Sequence, residues 1–267
     1  DSLRIVDGGR AGNGGLYAMA GLIDVELAAR ESLLSLGSGV IEAASGGSLS
    51  VLADDIDFAS GDNQVRGSGE LRLRTMALTD QGYRIGSAGQ STYGNDYSIN
   101  GATGFMELGM RDLSALKSGF SQITIGHEGD NVNMFVGDVE DRTQAGGFIF
   151  NAKLMDATTL KADSIQIVGD VQAAQSLRVQ GRVMEVLRNN VHDGLGQPDS
   201  GLYARDTEVA LSEQLVVTGW IKGDDSVSID VQGSTGTNAL VTYGDEPNSI
   251  TADTGSTIQT FNDNSVI

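Results

Sequence analysis

The chain has 267 residues, of which 39% are hydrophobic, and its net charge of −19 comes from 36 acidic against 17 basic side chains. That charge repels nucleic-acid phosphates and anionic membrane surfaces, and no run of about 18 apolar residues exists to span a bilayer, so neither partner is expected. The absence of cysteine excludes disulfides, thiolate metal sites and a cysteine nucleophile. With 37 glycines and two prolines the chain turns often, which predicts an all-β protein of short strands.

One short phrase recurs along the whole chain: a small residue, then apolar, polar and apolar residues, then a turn. It is found as SLRIV at 2–6, SLSVL at 48–52, SIQIV at 164–168, SLRVQ at 176–180 and SVSIDV at 226–231. Alternation of apolar and polar residues places one face of an extended strand in a core and the other face in water. Each phrase therefore predicts one short strand, and its recurrence predicts a repeat architecture.

The N-terminal part, residues 1–81, shows a regular spacing of these strands. The apolar pairs start 22, 24 and 22 residues apart, at Leu3/Ile5, Val25/Leu27, Leu49/Val51 and Leu71/Leu73. Further strand-like segments such as 33–37 and 55–60 lie between them, so each step of about 22 residues holds two or more strands. This pattern predicts a right-handed parallel β-helix, or β-solenoid, in which each coil adds about 4.8 Å along the axis.

Residues 82–121 interrupt that regularity and are predicted to form an irregular excursion packed over a coil. Met110, Leu113 and Leu116 give an apolar stripe at helical spacing, which predicts one short helix over 110–119. Gly119 is placed to end that helix in a left-handed conformation. The strands return at 122–126, and residues 122–267 are predicted to be coils that continue the same domain.

The strands of the C-terminal part lie closer together, and the whole chain is expected to hold on the order of 12 coils. A two-sheet β-sandwich is the competing fold, since strands with turn signals every 8–12 residues or so also fit it. The short strands, the variable connections and the lack of paired hairpin phrases favour the solenoid. In that fold ten residues should point inward and stack in rows: Leu49, Val51, Leu71, Leu73, Ile123, Ile125, Ile165, Ile167, Leu177 and Val179.

The segment 82–129 contains a helix of the type D-L-x-A-L, then G-F-x-x-I-T-I-G and an acidic, glycine-rich turn. The matching residues are Asp112, Leu113, Ala115, Leu116, Gly119, Phe120, Ile123, Thr124, Ile125 and Gly126. This segment resembles one that recurs in giant bacterial surface proteins of the filamentous-haemagglutinin-like class. The resemblance implies a right-handed parallel β-helix, secretion across the outer membrane, and work as an adhesin or a filament at the cell surface. It brings no catalytic residue with it.

Two acidic turns are candidate calcium sites. EGDNVN at 128–133 and GDVED at 137–141 place oxygen ligands at alternate positions, as calcium loops do, and backbone carbonyls can complete the shell. The candidate ligands are Asp130, Asn131, Asn133, Asp138, Glu140 and Asp141. Neither turn has the spacing of an EF-hand or of the calcium-binding nonapeptide repeat, so plain solvated turns are the alternative.

The sequence gives little support for catalysis. His127 and His192 are the only histidines, and both are predicted to lie in surface turns because no nucleophile elbow or zinc motif accompanies them. Neighbouring acidic residues such as Asp54 and Asp55 leave open a polysaccharide-degrading β-helix enzyme, which needs two carboxylates facing each other across a sugar. Trp220 is the only tryptophan, and this scarcity of aromatic platforms counts against a sugar cleft.

The function expected from the sequence is that of a non-enzymatic structural or adhesive module, exposed outside a bacterial cell. Neither 2–6 nor 257–267 looks like a cap, because both segments are rich in strand-forming residues. Unpaired strand edges favour stacking of one copy on the next, so a homopolymeric filament is expected unless the chain is part of a longer polypeptide. The other expected partners are a surface polysaccharide or a host cell surface, and calcium is the only cofactor expected.

Overall fold

The computed structural model describes residues 2–4, 15–18, 21–27, 32–36, 39–43, 46–58, 62–75, 82–86, 105–128, 132–137, 152–187, 201–233, 240–242, 250–252 and 256–260. These residues are mostly β, with little helix, and their strands form a curled parallel sheet shaped like a half-barrel. Every strand pair among them is parallel. Parallel pairing throughout excludes a sandwich of antiparallel hairpins, because hairpins pair their strands antiparallel.

In chain order the elements of the described residues are β1 (Ser2–Arg4), β2 (Gly15–Ala18), β3 (Leu22–Glu26), β4 (Leu33–Ser35), β5 (Val40–Ala43), β6 (Ser48–Leu52), β7 (Asp55–Asp57), β8 (Val65–Gly67), β9 (Glu70–Arg74), β10 (Gly82–Ile85), β11 (Phe105–Leu108), α1 (Met110–Ala115), β12 (Gln122–Gly126), β13 (Asn133–Val136), β14 (Ala152–Leu154), β15 (Thr158–Lys161), β16 (Ser164–Ile167), β17 (Asp170–Val186), β18 (Gly201–Val217), β19 (Trp220–Val231), β20 (Leu240–Thr242), β21 (Ile250–Ala252) and β22 (Ser256–Thr260).

These strands line up in three ladders of neighbours. Ladder 1 contains, in order, β3, β6, β9, β12, β15, β17, β18, β19 and β22. Ladder 2 contains β1, β4 and β7, followed by β11, β10, β13, β16, β17, β18 and β20. Ladder 3 contains β2, β5 and β8, followed by β14, β17, β18, β19 and β21. The chain visits ladder 2, ladder 3 and ladder 1 in turn, and β17, β18 and β19 bend at register shifts as they pass between ladders.

Inward-facing apolar residues of neighbouring strands stack in rows. The two rows of ladder 1 run Leu49, Leu71, Ile123, Thr158, Leu177 and Val51, Leu73, Ile125, Leu160, Val179. All ten residues predicted to point inward are at most 2% exposed, so the prediction of the core face is confirmed. The first row also contains two buried threonines, Thr158 and Thr207. Both hydroxyls have a hydrogen-bond acceptor: Thr158 donates to the Asp156 carbonyl and Thr207 to the Lys222 carbonyl, each at 2.9 Å.

The predicted register of the first strands is wrong, although their buried face is right. Leu49 lies beside Ile23 and Val51 beside Val25, so the expected alignment of Val25 with Leu49 is off by two residues. Leu3 belongs to ladder 2, where it lies beside Leu34. A shift of two residues keeps the same side chains on the core face, so alternation cannot fix the register. Within the described residues nine strands stack in ladder 1, whereas about 12 coils were expected for the whole chain.

The predicted excursion at 82–121 contributes strands to ladder 2 instead of lying over it. β10 pairs with β11 on one side and with β13 on the other, so the later strand β11 lies between β10 and β7. We call β10, β11 and α1 together the insertion.

The helix of the insertion exists but is shorter than predicted. It has six residues, and the chain is already extended at Leu116, with φ −74° and ψ 111°. Leu116 instead bridges to Val65, and the Lys117 N–H donates to the Val65 carbonyl at 2.9 Å, so strand pairing ends the helix. Gly119 has the predicted positive φ, +137°, but it lies in the turn beyond. The expected apolar stripe is confirmed in part, since Leu113 and Leu116 are buried.

Candidate functional site

Of the six predicted calcium ligands, only Asn133 falls within the described residues. It opens β13, where it is half-buried and lies beside Gly82 and Ser164. Asp130, Asn131, Asp138, Glu140 and Asp141 lie outside the described residues. In the part of the chain that the structure describes, no group of three or more His, Cys, Asp or Glu is arranged to hold a metal ion. Calcium binding at 128–133 and 137–141 therefore stays a prediction.

Two carboxyl groups meet on ladder 2, where β7 faces β11. Met106 and Leu108 point into the core, so the alternating Glu107 points the other way, toward Asp55 of β7. The Glu107 N–H donates to Asp55 Oδ1 at 3.2 Å, and the Ile56 N–H donates to the same oxygen at 2.9 Å. The Glu107 carboxylate lies 3.6 Å from Arg84 of β10.

Burial raises the pKa of Asp55 to about 7, and repulsion by Glu107 and Asp57 adds to the rise, while its two backbone hydrogen bonds oppose it. This carboxyl group therefore keeps its proton to a much higher pH than an exposed aspartate does. A proton donor next to a carboxylate that is paired with Arg84 is an arrangement that can perform acid-base chemistry.

Two aromatic side chains flank this group. Phe105 of β11 and Phe135 of β13 lie on either side of β10, with ring centroids 5.7 Å apart and ring planes at 72°. The Arg84 guanidinium stacks over the Phe105 ring, 4.7 Å from its centroid. Both rings are partly exposed, so the outer surface of ladder 2 combines aromatic rings with charged groups.

A second aromatic group lies on ladder 3. Trp220 of β19 covers Gly201 of β18 so closely that a side chain at Gly201 would meet the indole Cδ2 at 2.3 Å and Cε2 at 2.6 Å. Tyr203 stands beside it, with ring centroids 6.5 Å apart and ring planes at 66°. The Tyr203 hydroxyl donates to Asp224 at 2.7 Å, and Lys222 Nζ lies 5.5 Å from the centre of the Tyr203 ring.

No protein-family model, curated protein or solved structure matches this chain. The resemblance of 82–129 to a bacterial surface protein is thus untested, and function has to be inferred from the side chains themselves. Within the described ranges no helix has the length and apolar character needed to cross a membrane.

The described residues that carry this resemblance have structural contacts. Both oxygens of Asp112, which is 1% exposed, accept backbone N–H groups: Oδ1 from Phe58 at 2.6 Å and Oδ2 from Gly109 at 2.9 Å. The ring of Phe120 covers Gly67, where an added side chain would meet it at 2.4 Å. These contacts tie the insertion to the preceding strands.

A third carboxylate holds the turn that follows the helix. Asp156 is 2% exposed and accepts the Gly119 N–H on both oxygens, at 3.0 and 2.9 Å, the Phe120 N–H at 3.0 Å and the Ser118 hydroxyl at 3.1 Å. A small cavity of about 10 Å³ lies beside it, lined by residues that include Leu113 and Met155. That volume holds about one water molecule, so this group supports the turn and offers no substrate site.

His127 does not lie in a free surface turn, so that prediction is wrong. It is half-buried, and its Nδ1 lies 2.9 Å from the hydroxyl of Tyr83, a side chain with 0% exposure. The Thr75 N–H donates to the same hydroxyl at 2.9 Å, so the hydroxyl is oriented to donate its own proton to Nδ1 of a neutral imidazole. Desolvation, and then the charge of Arg74, lower the pKa of His127. His192 lies outside the described residues.

Sequence reasoning missed the aromatic groups and the buried carboxylates. The aromatic groups could have been found from aromatic residues at outward positions of alternating strands. Tyr203 follows the core residue Leu202, and Trp220 precedes the core residue Ile221. No comparable signal existed for Asp112 and Asp156, whose backbone partners Phe58 and Phe120 are 54 and 36 residues away in the sequence.

Proposed function

We propose that the chain is a structural and adhesive module, a right-handed parallel β-helix exposed outside a bacterial cell. The observation that supports this best is the stack of parallel strands in three ladders, of which ladder 1 is paired without a break from β3 to β22 and contains rows of buried side chains. Such a stack is rod-like and presents long outer faces, which suits a filament or an adhesin. The negative charge of −19 keeps this surface solvated and makes nucleic acid a poor partner.

We further propose that copies assemble end to end. Among the described residues β1, β2 and β3 each pair with one neighbour, as do β20, β21 and β22. A strand edge with free N–H and C=O groups invites another strand, and parallel pairing of the last strands of one copy with the first strands of the next leaves new edges at both ends. This head-to-tail contact does not close on itself, so it grows into a filament. In a longer polypeptide the neighbouring segments would take the place of the second copy.

Assembly is tested by light scattering over a concentration series, together with negative-stain electron microscopy. The expected result is growth in mass with concentration and rods that lengthen by whole subunits. A proline at an outward position of β3, Asp24→Pro, removes a backbone N–H at the edge and should stop growth, whereas Asp24→Ala should leave it unchanged. A wild-type chain that stays monomeric at every concentration would contradict end-to-end assembly.

A second candidate function is polysaccharide hydrolysis, favoured by Asp55 and Glu107. A carboxyl group with a raised pKa beside a second carboxylate, whose partner Arg84 stacks on Phe105, resembles the acid and base pair of a glycosidase. Release of reducing ends from soluble polysaccharides, lost in both Asp55→Asn and Glu107→Gln while the fold is kept, would favour this function. Absence of released sugar with the wild-type chain would leave the structural module as the conclusion.

A further inference from the structure

We propose that Trp220 and Tyr203 form a binding subsite for a neutral oligosaccharide on the outer face of ladder 3. This inference rests on the proposed adhesive function, because it names the chemical class of ligand that the module would hold. We call the group of Tyr203, Trp220, Lys222, Asp224 and Arg205 the aromatic corner.

The shape of the corner follows from the two rings. A Cβ added at Gly201 would meet the Trp220 backbone oxygen at 2.4 Å and the two carbons that fuse the indole rings at 2.3 and 2.6 Å, so the middle of the indole lies over the glycine. Because a side chain at position 201 would collide with the ring, glycine is required for this position of the indole. Trp220 is nevertheless partly exposed. Tyr203, at 66° to it, adds a wall beside this floor.

An aromatic floor with a polar wall fits a pyranose ring. The C–H groups on one face of a sugar pack on an aromatic face, while its hydroxyls need both donors and acceptors at the edge. Asp224 supplies acceptor oxygens next to the Tyr203 hydroxyl, and Lys222 supplies donors near the same ring. Arg205 lies at 3.3 Å from both Asp206 and Asp225 and is 62% exposed, so it adds further donors at the rim.

The charges of the corner select a neutral ligand over a charged one. Two cations, Lys222 and Arg205, stand among the carboxylates of Asp206, Asp224 and Asp225, and the chain as a whole carries a charge of −19. An anionic polymer would be repelled by this field, and a purely apolar partner would leave the charged groups desolvated. Hydroxyl groups can pair with both signs of charge.

One further observation points to a ligand. The indole Nε1 of Trp220 is buried and has no hydrogen-bond partner among the described residues. A buried N–H group without an acceptor is unfavourable, and a ligand oxygen could supply the acceptor. Because no hydrogen bond holds the indole in place, a small shift on binding would bring Nε1 to that oxygen.

The test uses Trp220 as its own reporter, because it is the only tryptophan in the chain. The full chain is titrated with cellohexaose, maltohexaose and mannohexaose while tryptophan emission is recorded, and is run on native gels that contain neutral β-glucan, dextran or galactomannan. The expected result is a saturable emission change with at least one hexasaccharide and retarded migration in the matching gel. Trp220→Ala should weaken retardation at least tenfold, and Trp220→Phe, which keeps a ring over Gly201, should weaken it less.

The controls separate this inference from the proposed function. Met155→Ala removes an exposed apolar side chain that belongs to neither candidate site and should bind as the wild type does, and circular dichroism checks that each variant is folded. No emission change and no retardation with any neutral saccharide would overturn the inference, while filaments in electron micrographs would still support the structural function. Binding of an anionic polymer alone, abolished by salt, would also overturn it, because that result indicates a charge effect outside the aromatic corner.

Discussion

Replacement of aspartate by asparagine should have different effects at the three carboxylates that surround the insertion. Asp112 and Asp156 use both oxygens to accept backbone N–H groups, whereas Asp55 accepts both of its backbone N–H groups on Oδ1 alone. An asparagine has one oxygen and one NH₂ group. At position 55 the amide oxygen can keep both bonds. At positions 112 and 156 the NH₂ group must face a backbone donor.

The size of the effect follows from these bonds. A hydrogen bond to a charged group contributes about 1.5–3 kcal/mol, and a buried donor left without an acceptor costs about 1–3 kcal/mol. Asp112→Asn and Asp156→Asn should therefore each lower the free energy of unfolding by about 3 kcal/mol. Asp55→Asn should not lower it, and should raise it near neutral pH, because it keeps both bonds and removes a carboxyl group whose ionisation burial opposes.

Urea unfolding followed by circular dichroism measures the difference. With a slope of about 3 kcal/mol per molar urea, Asp112→Asn and Asp156→Asn should lower the midpoint by roughly 1 M, and Asp55→Asn should not lower it. Asp62→Asn, at an exposed position, serves as the matched control. Equal losses for all three variants, or a neutral Asp156→Asn, would show that the carboxylates do not replace backbone acceptors as described.

Three further predictions concern the core, the half-buried His127 and calcium. Leu73→Ala removes a fully buried side chain from a row of ladder 1 and should lower the free energy of unfolding by about 3 kcal/mol, whereas Arg72→Ala, on the outer face, should cost less than about 1 kcal/mol. Because the pKa of His127 is lowered in the fold, the unfolded chain binds more protons at this residue than the folded chain does. The contribution of His127 to stability, measured against His127→Gln, should therefore be complete above about pH 6.5. It should fall in acid by at most about 1.4 kcal/mol per pH unit. Parallel curves of stability against pH for the wild type and His127→Gln would contradict the lowered pKa of His127. Asp55 has the opposite effect, because its raised pKa makes the fold more stable in acid, and the same comparison with Asp55→Asn separates this contribution. Millimolar calcium should raise the melting temperature if the turns at 128–133 and 137–141 bind it. Coincident melting curves with calcium and with chelator would contradict calcium binding at these turns.

The core faces were predictable because alternation is a local property of the sequence. Leu49, Val51, Leu71 and Leu73 occupy the predicted face because each has polar or small neighbours in its own strand. The register was not predictable, since moving Val25 by two positions changes its neighbour from Leu49 to Val51 without changing the buried face.

The candidate sites were harder to predict because they depend on contacts between distant segments. Trp220 alone does not predict a binding site. The candidate site also needs Gly201 and Tyr203, and their position beside Trp220 depends on the register of β18 and β19. His127 has charged neighbours in sequence, yet its decisive neighbour is Tyr83, which is 44 residues away.

The insertion changes the number of layers on one side of the stack. Between β7 and β13, ladder 2 holds two strands, β11 and β10, whereas between β9 and β15, ladder 1 holds only β12. The added strand is about 4.8 Å thick, and α1, about 10 Å wide, fills a height of roughly two strands at the corner of ladders 2 and 3. No such element thickens ladder 1, which stays hydrogen-bonded from β9 through β12 to β15. We infer that the stack bends toward ladder 1 at this point. Asp55, Asp112 and Asp156 lie around this same place, where carboxylates accept backbone N–H groups of the displaced segments. Class averages in electron microscopy should show one bend in each subunit, and straight subunits would contradict the inferred bend.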